Sequence, residues 1–366
     1  MNYNAFDAKF RFARCCAIFK EIKRKFDMKQ YLLPEKGNFY KANLHSHSTV
    51  SDGAWTPDEV KKKYMEKGYS IVAYTDHDIM IPHPELADEC FLPLTGFELS
   101  IVDPDPSLTV FSQKRNCHLC FIAPTMCDTK QVLWHRRFYH WGFKPELIPL
   151  VNYDEESLDF IRDYTPEKIN EAIAIGRRAG YFISYNHPAW SLESYPEYMA
   201  YEGFHALEVV NYSAVVGGEL DENLHVLRDM IRAGKRPFAT ASDDNHNRSN
   251  DSFGGFTMIK AAALTYTDIF DALMEGNFYA SEGPSIDELY YENGRVYVKA
   301  SNAVSVTYHA DIRHSNAIAR APEGSSEITA GFEIKEQEKS FFITVRDSCG
   351  KFACTRAYST KELMGL

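Results

Sequence analysis

The sequence contains no uninterrupted apolar stretch that approaches the roughly 18 residues needed for a membrane-spanning helix. The first residues also lack the continuous apolar core that is typical of a secretory signal peptide. Eight cysteines among 366 residues are too few for a disulfide framework in a chain of this length. These absences predict a cytoplasmic protein without a membrane partner.

The chain has fewer basic than acidic residues, with 40 Lys and Arg, 51 Asp and Glu and a formal net charge of -11. A broad electrostatic grip on a polynucleotide is therefore not expected, because phosphate binding depends on clustered cations. Local basic pockets remain open. The chain is long enough for one large or two medium domains, and nothing in it indicates an oligomeric state.

Residues 1–36 are predicted to form an amphipathic helical extension. The apolar stripe consists of Phe6, Phe10, Ile18, Ile22 and Phe26, and the basic side chains are Lys9, Arg11, Arg14, Lys20, Lys23, Arg24 and Lys25. We favour a terminal helix packed on its own domain, since amphipathic stripes usually mark core contacts. A membrane-surface helix and a targeting presequence remain alternatives.

Residues 37–283 alternate short apolar strands with helices. TPDE at residues 56–59 is a capping box with proline at the first helical position, and Gly68 ends that helix. The predicted strands lie at 70–75, 92–97, 117–123, 181–185, 206–210 and 237–241, and further helices at 166–178, 220–233 and 267–275. Repeated strand-helix units indicate an α/β domain with a parallel sheet, open or closed into a barrel.

Residues 284–366 follow a different pattern, with period-two alternation and tight turns. Asn293 and Gly294 lie between two alternating runs, which is a strong hairpin signal. Another strand is predicted at 339–345. We interpret this part as a small all-β domain without a cluster of chemically competent side chains.

The segment NLHSHSTVSDGAW, residues 43–55, carries the first candidate ligands. His45 and His47 are two apart, so a strand would present both imidazoles on one face. Asp52 follows in the turn. Taken alone, the His-x-His pair is explained better by two structural histidines than by a metal site.

Five more segments with His, Asp or Glu follow. They are TDHD at 75–78, GFEL at 96–99, CH at 117–118, NHP at 186–188 and SDDNH at 242–246. Each lies at or near the C-terminal end of a predicted strand, although the strand at His118 continues past it. Parallel α/β sheets and barrels place their active sites at this edge. The recurrence predicts a metal site.

This ordered set of motifs closely resembles the PHP (polymerase and histidinol phosphatase) family of metal-dependent phosphoesterases, over roughly residues 40–283. The resemblance implies a distorted, TIM-like (β/α)7 barrel, up to three divalent ions and a C-terminal β appendage. It implies three ligand sets: His45, His47, Glu98 and Asp244; Glu98, His118 and His187; and Asp52, His77 and His246. The Asp-x-His form of the last motif selects Asp244, with Asp243 as the alternative.

Imidazole and carboxylate ligands admit Zn, Mn or Fe. Six positive charges against three carboxylates would leave an electropositive pocket suited to a phosphate ester. The predicted function is hydrolysis of small phosphomonoesters or nucleotides by a metal-bridging hydroxide at a trinuclear site, with no separate protein nucleophile. The alternatives are a phosphodiesterase or exonuclease that acts on oligonucleotide ends, and a catalytically silent metal-binding module.

Four residues beside the motifs allow two interpretations each. Asp76 and Asp243 either orient ligand imidazoles or act as solvated or capping aspartates. Cys117 and Cys120 have the spacing of half a zinc site, but positions i and i+3 of a strand face opposite ways and no second pair exists. We therefore predict that both cysteines are core residues.

Residues 126–157 have weak periodicity and many large side chains, and a loop of this length is a candidate lid, with His135 and His140 within it. Arg136 and Arg137 are candidate phosphate contacts, although an aromatic cluster that pins the loop is the favoured alternative. Asn211, at the end of a predicted strand, is a candidate substrate contact or a turn asparagine.

Overall fold

The structure is a computed structural model that describes residues 29–137, 144–218 and 223–364. The apolar stripe of the predicted helical extension, from Phe6 to Phe26, lies outside the described residues. The described end of the predicted helical extension forms a short strand, β1 (Gln30–Tyr31), which pairs antiparallel with a strand near residue 290. Within the described ranges, no helix is both long and apolar enough to cross a membrane.

The elements up to residue 283 confirm the predicted strand and helix positions to within a few residues. The strands are β2 (Asn38–Asn43), β3 (Ile71–Tyr74), β4 (Leu92–Val102), β5 (Asn116–Ile122), β6 (Phe182–Asn186), β7 (Ala206–Asn211), β8 (Phe238–Ser242), β9 (Phe256–Ala261) and β10 (Phe278–Ser281). The helices are α1 (Pro57–Met65), α2 (Pro166–Arg178), α3 (Tyr195–Ala200), α4 (Tyr212–Val216), α5 (Leu224–Arg232) and α6 (Tyr266–Glu275). The capping box of Thr56 and Glu59 is present.

One large mixed sheet carries the site. From this part of the chain it contains, in order, β10-β9-β2-β3-β4-β5-β6-β7-β8. β2, β3 and β4 are parallel, as are β6, β7 and β8, but β5 is antiparallel to both of its neighbours. The prediction of a parallel sheet is therefore wrong at β5. The chain between β4 and β5 contains no crossover helix, and a parallel return would need one.

β8, at one edge of the sheet, lies close to β9 and β2, which are far from it in the strand order. The Thr257 hydroxyl, in β9, bonds to the backbone N and O of Ala241, in β8, at 3.2 and 3.0 Å. Beyond β8, Asn245 forms an isolated parallel bridge with Ser46, just after β2. No backbone ladder joins β8 to β9 or β2 in the described part of the chain. The fold shown is thus a mixed α/β structure with a curled sheet.

The strands after residue 283 belong to two sheets. They are β11 (Ser285–Glu292), β12 (Arg295–Ser301), β13 (Ser305–Ala310), β14 (Ala317–Arg320), β15 (Glu327–Glu333), β16 (Ser340–Arg346), β17 (Phe352–Thr355) and β18 (Tyr358–Ser359), followed by α7 (Thr360–Met364). The predicted Asn293–Gly294 hairpin joins β11 to β12, with φ of 51° and 76°.

The boundary at residue 283 is crossed by the large sheet. β1, β11, β12 and β15 form a separate four-stranded sheet, whereas β17 pairs with β10 and so attaches β13, β14, β16 and β18 to the site-bearing strands. A separate hydrophobic core also links the two parts, since it contains Leu33 and Tyr279 together with C-terminal residues. The division into domains stays a prediction, and α7 means that this region is not purely β.

Candidate metal centre

The segment after β2 places two imidazoles in the interior. His45 and His47 are buried, and their Nε2 atoms lie 3.2 Å apart. Burial, with the neighbouring His246 and His77, lowers the pKa of His47 to about 4. The His47 ring is therefore neutral at pH 7, and a neutral imidazole is the form that binds a metal ion.

Asp76 holds the loop that carries these histidines. Its carboxylate accepts hydrogen bonds from the backbone N and the hydroxyl of Ser48 at 2.8 and 2.9 Å. It accepts two more from the N and hydroxyl of Ser51 at 3.0 and 2.7 Å. The loop also needs Gly53, because a Cβ there would lie 2.6 Å from the carbonyl oxygen of His47. Asp76 thus orders a backbone turn rather than an imidazole.

Glu98 lies at the centre of the candidate ligands. Its Oε1 is 3.1 Å from His45 Nε2, 2.9 Å from His118 Nδ1 and 3.3 Å from His187 Nε2, and its Oε2 is 2.9 Å from His77 Nδ1 and 3.5 Å from His47 Nε2. Burial opposes ionisation of Glu98, but His118 and His45 outweigh it and hold the pKa of this carboxyl well below its usual range. One buried carboxylate therefore faces five imidazoles.

Asp244 and Asp52 complete the set on the other side. Asp244 Oδ1 lies 2.9 Å from His47 Nε2 and 3.2 Å from His45 Nε2. Asp52 Oδ1 lies 3.4 Å from His246 Nε2 and 3.9 Å from Nδ1 of His47. The backbone of Asp244 is left-handed, with φ of 53°, a conformation that non-glycine residues rarely adopt and that recurs at functional sites.

All nine predicted ligands fall into groups whose ligand atoms lie within 4.8 Å of one another. The groups are His47, Asp52, His77 and His246; His45, His187 and Asp244; Glu98, His118 and His187; and His45, Glu98 and Cys120. The group of His47, Asp52, His77 and His246 is the predicted set of Asp52, His77 and His246 with His47 added. The group of Glu98, His118 and His187 is the same as a predicted set. The side chains that the sequence scatters over 200 positions therefore converge.

Several of the predicted ligand atoms are placed to bind cations rather than to hydrogen-bond with one another. His47 Nδ1, His77 Nδ1, Glu98 Oε2 and Asp244 Oδ1 are buried and make no hydrogen bond within the described residues. His77 Nδ1 nevertheless lies 2.9 Å from Glu98 Oε2. Buried polar atoms normally find partners, so ligand atoms that converge without hydrogen bonds of good geometry fit divalent ions.

The charges at the site also attract cations. Burial lowers the pKa of His77, but Glu98 outweighs burial and raises this pKa to about 9. The pKa of His187 is likewise raised to about 9, with Glu98 and Asp244 opposing burial. Carboxylates that draw protons onto buried imidazoles would equally draw metal ions, which compete with protons for the same lone pairs.

Glu208, which the sequence analysis missed, orients two of the ligands. Its Oε1 lies 3.2 Å from Nδ1 of His45, and its Oε2 accepts a hydrogen bond from the backbone N of His187 at 3.1 Å. A carboxylate on Nδ1 leaves Nε2 of His45 free to bind a metal. The signal was a glutamate inside the apolar strand ALEVVN, where an isolated charge would be costly to bury.

Three other ligand rings are oriented in a similar way. Nδ1 of His187 is 3.1 Å from the Ser191 hydroxyl, and Nδ1 of His246 is 3.0 Å from the carbonyl oxygen of Asp244. The amide of Asn116 lies 3.1 Å from Nε2 of His118. In each ring the second nitrogen points into the ligand cluster, the arrangement expected of metal-binding histidines.

The antiparallel direction of β5 explains the unusual position of His118. This residue lies near the N-terminal end of β5, and that end is at the same edge of the sheet as the C-terminal ends of β4 and β6. Cys120 is two residues further on the same face, opposite Glu98. Both cysteines are buried as predicted, but Cys120 also borders the ligand cluster, which the shared face with His118 could have revealed.

The structure separates Asp243 from Asp244. The Asp243 carboxylate accepts hydrogen bonds from the Tyr64 hydroxyl at 2.8 Å and from the backbone N of Phe253 and Gly255 at 2.7 and 2.9 Å. Burial raises the pKa of Asp243 to about 6. Asp243 therefore caps backbone groups, neither solvated nor oriented toward an imidazole, whereas Asp244 points into the ligand cluster.

A cavity of about 280 Å³ opens onto this cluster. It is lined by Asp52, His77, Glu98, Phe111, His118, Trp190, Asn211, Ser213, Ala214, Asp244 and His246. The amide nitrogen of Asn211 donates to Glu208 and Asp244 at 3.0 and 3.1 Å, and its oxygen accepts from the backbone N of Ala214 at 3.0 Å. Asn211 thus has the contacts of a turn asparagine and also lines the cavity, so its role as a substrate contact stays a prediction.

The predicted arginine contacts lie elsewhere. Arg136 pairs with Asp159 and donates to the carbonyl oxygens of Glu155 and Ser157 at 2.7 and 2.9 Å. Neither Arg136 nor Arg137 is among the described residues that line the cavity. The structure thus favours the loop-pinning alternative.

The described parts of the candidate lid pack beside the ligand loop. Trp134 stacks on Tyr153 at 5.2 Å between ring centroids and shares a small core with Val50 and Ile79. His135 lies 3.7 Å from Asp159 and not in the cavity, and His140 is outside the described residues. A lid function for this segment stays a prediction.

No family model and no curated protein matches the sequence. Among solved structures, the chain is similar to a two-domain protein from Bacteroides vulgatus that is described as containing a predicted PHP-like metal-dependent phosphoesterase. The two share 14% identity with a TM-score of 0.43, over 87% of this chain and 93% of that one.

Two further structures show a weaker likeness. One, from Bifidobacterium adolescentis, is described as a candidate metal-dependent phosphoesterase; it shares 17% identity with a TM-score of 0.34, over 59% of this chain and 90% of that one. The other is an amidohydrolase from Chromobacterium violaceum with bound sulfate and no metal; it shares 17% identity with a TM-score of 0.34, over 57% and 89%. Functional inference for this chain therefore rests on the geometry of its own site.

Proposed function

We propose that the chain is a PHP-type metal-dependent phosphoesterase that hydrolyses small phosphomonoesters or nucleotides with three divalent ions. One observation carries this proposal: nine His, Asp and Glu side chains from six segments converge, and six of the nine line one cavity. Four of their buried ligand atoms lack hydrogen-bond partners in the described chain. A distorted barrel with a C-terminal β appendage is the fold that goes with this proposal.

The ligand residues would divide into three overlapping sets. Asp52, His77 and His246, with His47 nearby, form the set nearest the loop after β2. Glu98, His118 and His187 form another set. His45, His47 and Asp244, together with Glu98, form the remaining set. Glu98 and Asp244 each approach more than one group of imidazoles, as bridging carboxylates do.

The expected substrate follows from charge. Divalent ions, when bound, polarise phosphoryl oxygens and lower the pKa of water so that hydroxide forms near neutral pH. Six positive charges against the three ligand carboxylates favour a phosphate dianion. The chain itself contributes the ordered loop on Asp76, the rings oriented by Glu208 and Ser191, and a cavity wide enough for a small ester.

The test combines metal content with turnover. Purified protein should contain close to three transition-metal ions per chain and hydrolyse p-nitrophenyl phosphate. His45→Ala and Asp244→Ala should abolish turnover and reduce bound metal while the circular dichroism spectrum is retained. His314→Ala, an exposed histidine in the C-terminal region, is the matched control and should leave both values unchanged.

Three results would count against the proposal. Protein without bound metal, or activity indifferent to both substitutions, would contradict a metal-dependent phosphoesterase. Bound metal without turnover of any phosphate ester would favour the silent metal-binding module. Faster hydrolysis of bis-p-nitrophenyl phosphate than of the monoester would favour the diesterase.

A further inference from the structure

Two aromatic side chains separate the candidate metal centre from a second cavity. This cavity, of about 160 Å³, is lined by Phe111, Ser112, Lys114, Asn116, Trp190 and Leu192. Phe111 and Trp190 also line the cavity over the metal ligands. These two rings are therefore lining that the two cavities share.

Trp190 lies directly against the predicted ligands. Its indole is 5.0 Å from the His187 ring at 82° and 5.7 Å from the His118 ring at 54°. The side chain is still 40% exposed, and Phe111 is 37% exposed. A flat group packed on the accessible part of the indole would lie next to a phosphate bound at the ligand cluster.

The loop that carries Trp190 is held at several points. The backbone N atoms of Ser191 and Glu193 bond to the carbonyl oxygens of His187 and Pro188, each at 3.0 Å. The buried Glu193 carboxylate accepts hydrogen bonds from the hydroxyls of Tyr164, Tyr185 and Tyr201 at 2.8, 2.5 and 2.5 Å. The indole is therefore presented from a rigid base, which lowers the entropy cost of binding.

Arg115 ties the Phe111 loop to the same base. Its guanidinium donates to Asp103 at 2.8 and 3.1 Å, which closes the loop between β4 and β5. The same side chain donates to Glu197, at the start of α3, at 2.8 Å. One arginine thus connects the loop of Phe111 with the segment that follows Trp190.

The second cavity has a polar end. Asn116 is 2% exposed, and its Oδ1 makes no hydrogen bond within the described residues. Lys114 is partly exposed. Hydrogen bonds from Ser107 lower the pKa of Asp105, and the charge of Lys114 helps to lower it. The cavity therefore has a partly exposed lysine among its lining residues, beyond two aromatic walls.

We propose that Phe111 and Trp190 form a slot for a flat aromatic or heteroaromatic ring in the leaving group of the substrate, with Lys114 placed to meet an acidic group on that ring. This inference rests on the proposed function, because it assumes that the phosphate binds at the metal ligands. It narrows the substrate class from small phosphomonoesters in general to esters of ring-bearing alcohols.

Benzyl phosphate and ethyl phosphate provide the test, since both have primary alkoxide leaving groups and only one has a ring. The wild-type protein should show a kcat/KM about tenfold higher for benzyl phosphate, the scale expected when an apolar slot is filled. Trp190→Ala and Phe111→Ala should bring the ratio toward one, and Trp190→Phe should retain most of it. Ile318→Ala, an exposed apolar residue in β14, should leave the ratio unchanged.

The Lys114 part is tested with 4-carboxybenzyl phosphate. The wild-type protein should prefer it to benzyl phosphate, and Lys114→Gln should remove that preference without changing the ratio for benzyl and ethyl phosphate. No preference for the carboxylated ester in the wild-type protein would overturn the role of Lys114.

Calorimetric binding of benzylphosphonate and ethylphosphonate separates the slot from the proposed function. Turnover of both esters at equal kcat/KM, or equal loss of both in Trp190→Ala, would overturn the slot and leave the phosphoesterase intact. Absence of turnover, with tighter binding of benzylphosphonate that Trp190→Ala abolishes, would retain the slot and overturn the proposed function.

Discussion

Glu208 Oε1 lies 3.2 Å from Nδ1 of His45, while Nε2 of the same ring faces Glu98 and Asp244 at 3.1 and 3.2 Å. The two nitrogens of one imidazole therefore have separate tasks. The outer nitrogen is fixed by a buried carboxylate, and the inner one is directed to the ligand cluster.

Removal of the outer carboxylate should weaken metal binding. We expect Glu208→Ala to lower metal affinity by about 10- to 100-fold, because His45 loses the partner that sets its orientation and tautomer. Glu208→Gln keeps a hydrogen-bond acceptor, so its metal affinity should lie between those of the wild-type protein and Glu208→Ala. Chelator competition on refolded, metal-loaded protein measures the affinity, and unchanged affinity in Glu208→Ala would show that Glu208 only fills space.

The Gly53 backbone should tolerate no side chain, because a Cβ would lie 2.6 Å from the carbonyl oxygen of His47. Gly53→Ala should displace the ligand loop and reduce bound metal. Gly68→Ala is the matched control, since its φ of 77° is strained for alanine but nothing lies within 4 Å of the added Cβ. It should cost about 1 kcal/mol of stability and leave metal content unchanged. Equal metal content in both variants would contradict the prediction.

Stability should fall with rising pH through Glu193. Burial raises the pKa of Glu193 from 4.5 to about 7, and the negative charge of Glu197 raises it further. Hydrogen bonds from Tyr185, Tyr201 and Tyr164 lower this pKa but do not outweigh burial. Between about pH 4.5 and 7 the unfolded chain releases this proton first, so the free energy of unfolding decreases as pH rises, by up to about 3 kcal/mol. Above pH 7 this contribution stops changing.

Glu193→Gln provides the comparison, because glutamine keeps the shape and does not titrate. Urea unfolding at pH 4.5, 6 and 8, with metal removed, should show a smaller loss of stability in the variant than in the wild-type protein. Parallel pH profiles for the two proteins would show that Glu193 does not titrate in this range.

Loss of a buried ion pair close to the ligands should lower the free energy of unfolding more than loss of an exposed one. Arg162 Nη1 lies 2.5 Å from Asp78 Oδ1 and 3.0 Å from the carbonyl oxygen of Ser100. Asp78→Ala leaves the arginine charge buried and should lower the free energy of unfolding by about 3 to 5 kcal/mol. Glu171→Ala, which breaks the surface pair with Lys168, should cost less than about 1 kcal/mol. Urea unfolding of metal-free protein compares them, and equal losses would be inconsistent with a burial effect.

Much of the site could be predicted because its signals are local. His45 and His47 share a face through the period of two along an extended segment, and His77, His187 and Asp244 follow strands that apolar runs had marked. The capping box at Thr56 depends on residues three apart, and helix α2 has the predicted bounds.

The errors concern partners that are distant in sequence. Strand β5 was predicted within one residue, but its direction depends on how the chain between β4 and β5 returns to the sheet. The sequence also left the role of Arg136 open, because its pairing with Asp159 depends on how the loop folds. Glu208 was overlooked because an alternation pattern shows that a residue is buried but not what it meets.

The order and spacing of residues were sufficient to indicate the strands, the helices and the six segments that carry His, Asp or Glu, because backbone propensity and side-chain periodicity act over a few residues. The choice of ligands within those segments came from the family resemblance. Order and spacing were not sufficient to separate Asp243 from Asp244. The first meets Tyr64 and the second meets His47, and each contact joins segments about 180 to 200 residues apart in the chain. Such contacts arise only when the strands are packed, since burial forces each polar group to find whichever partner the assembled sheet brings to it.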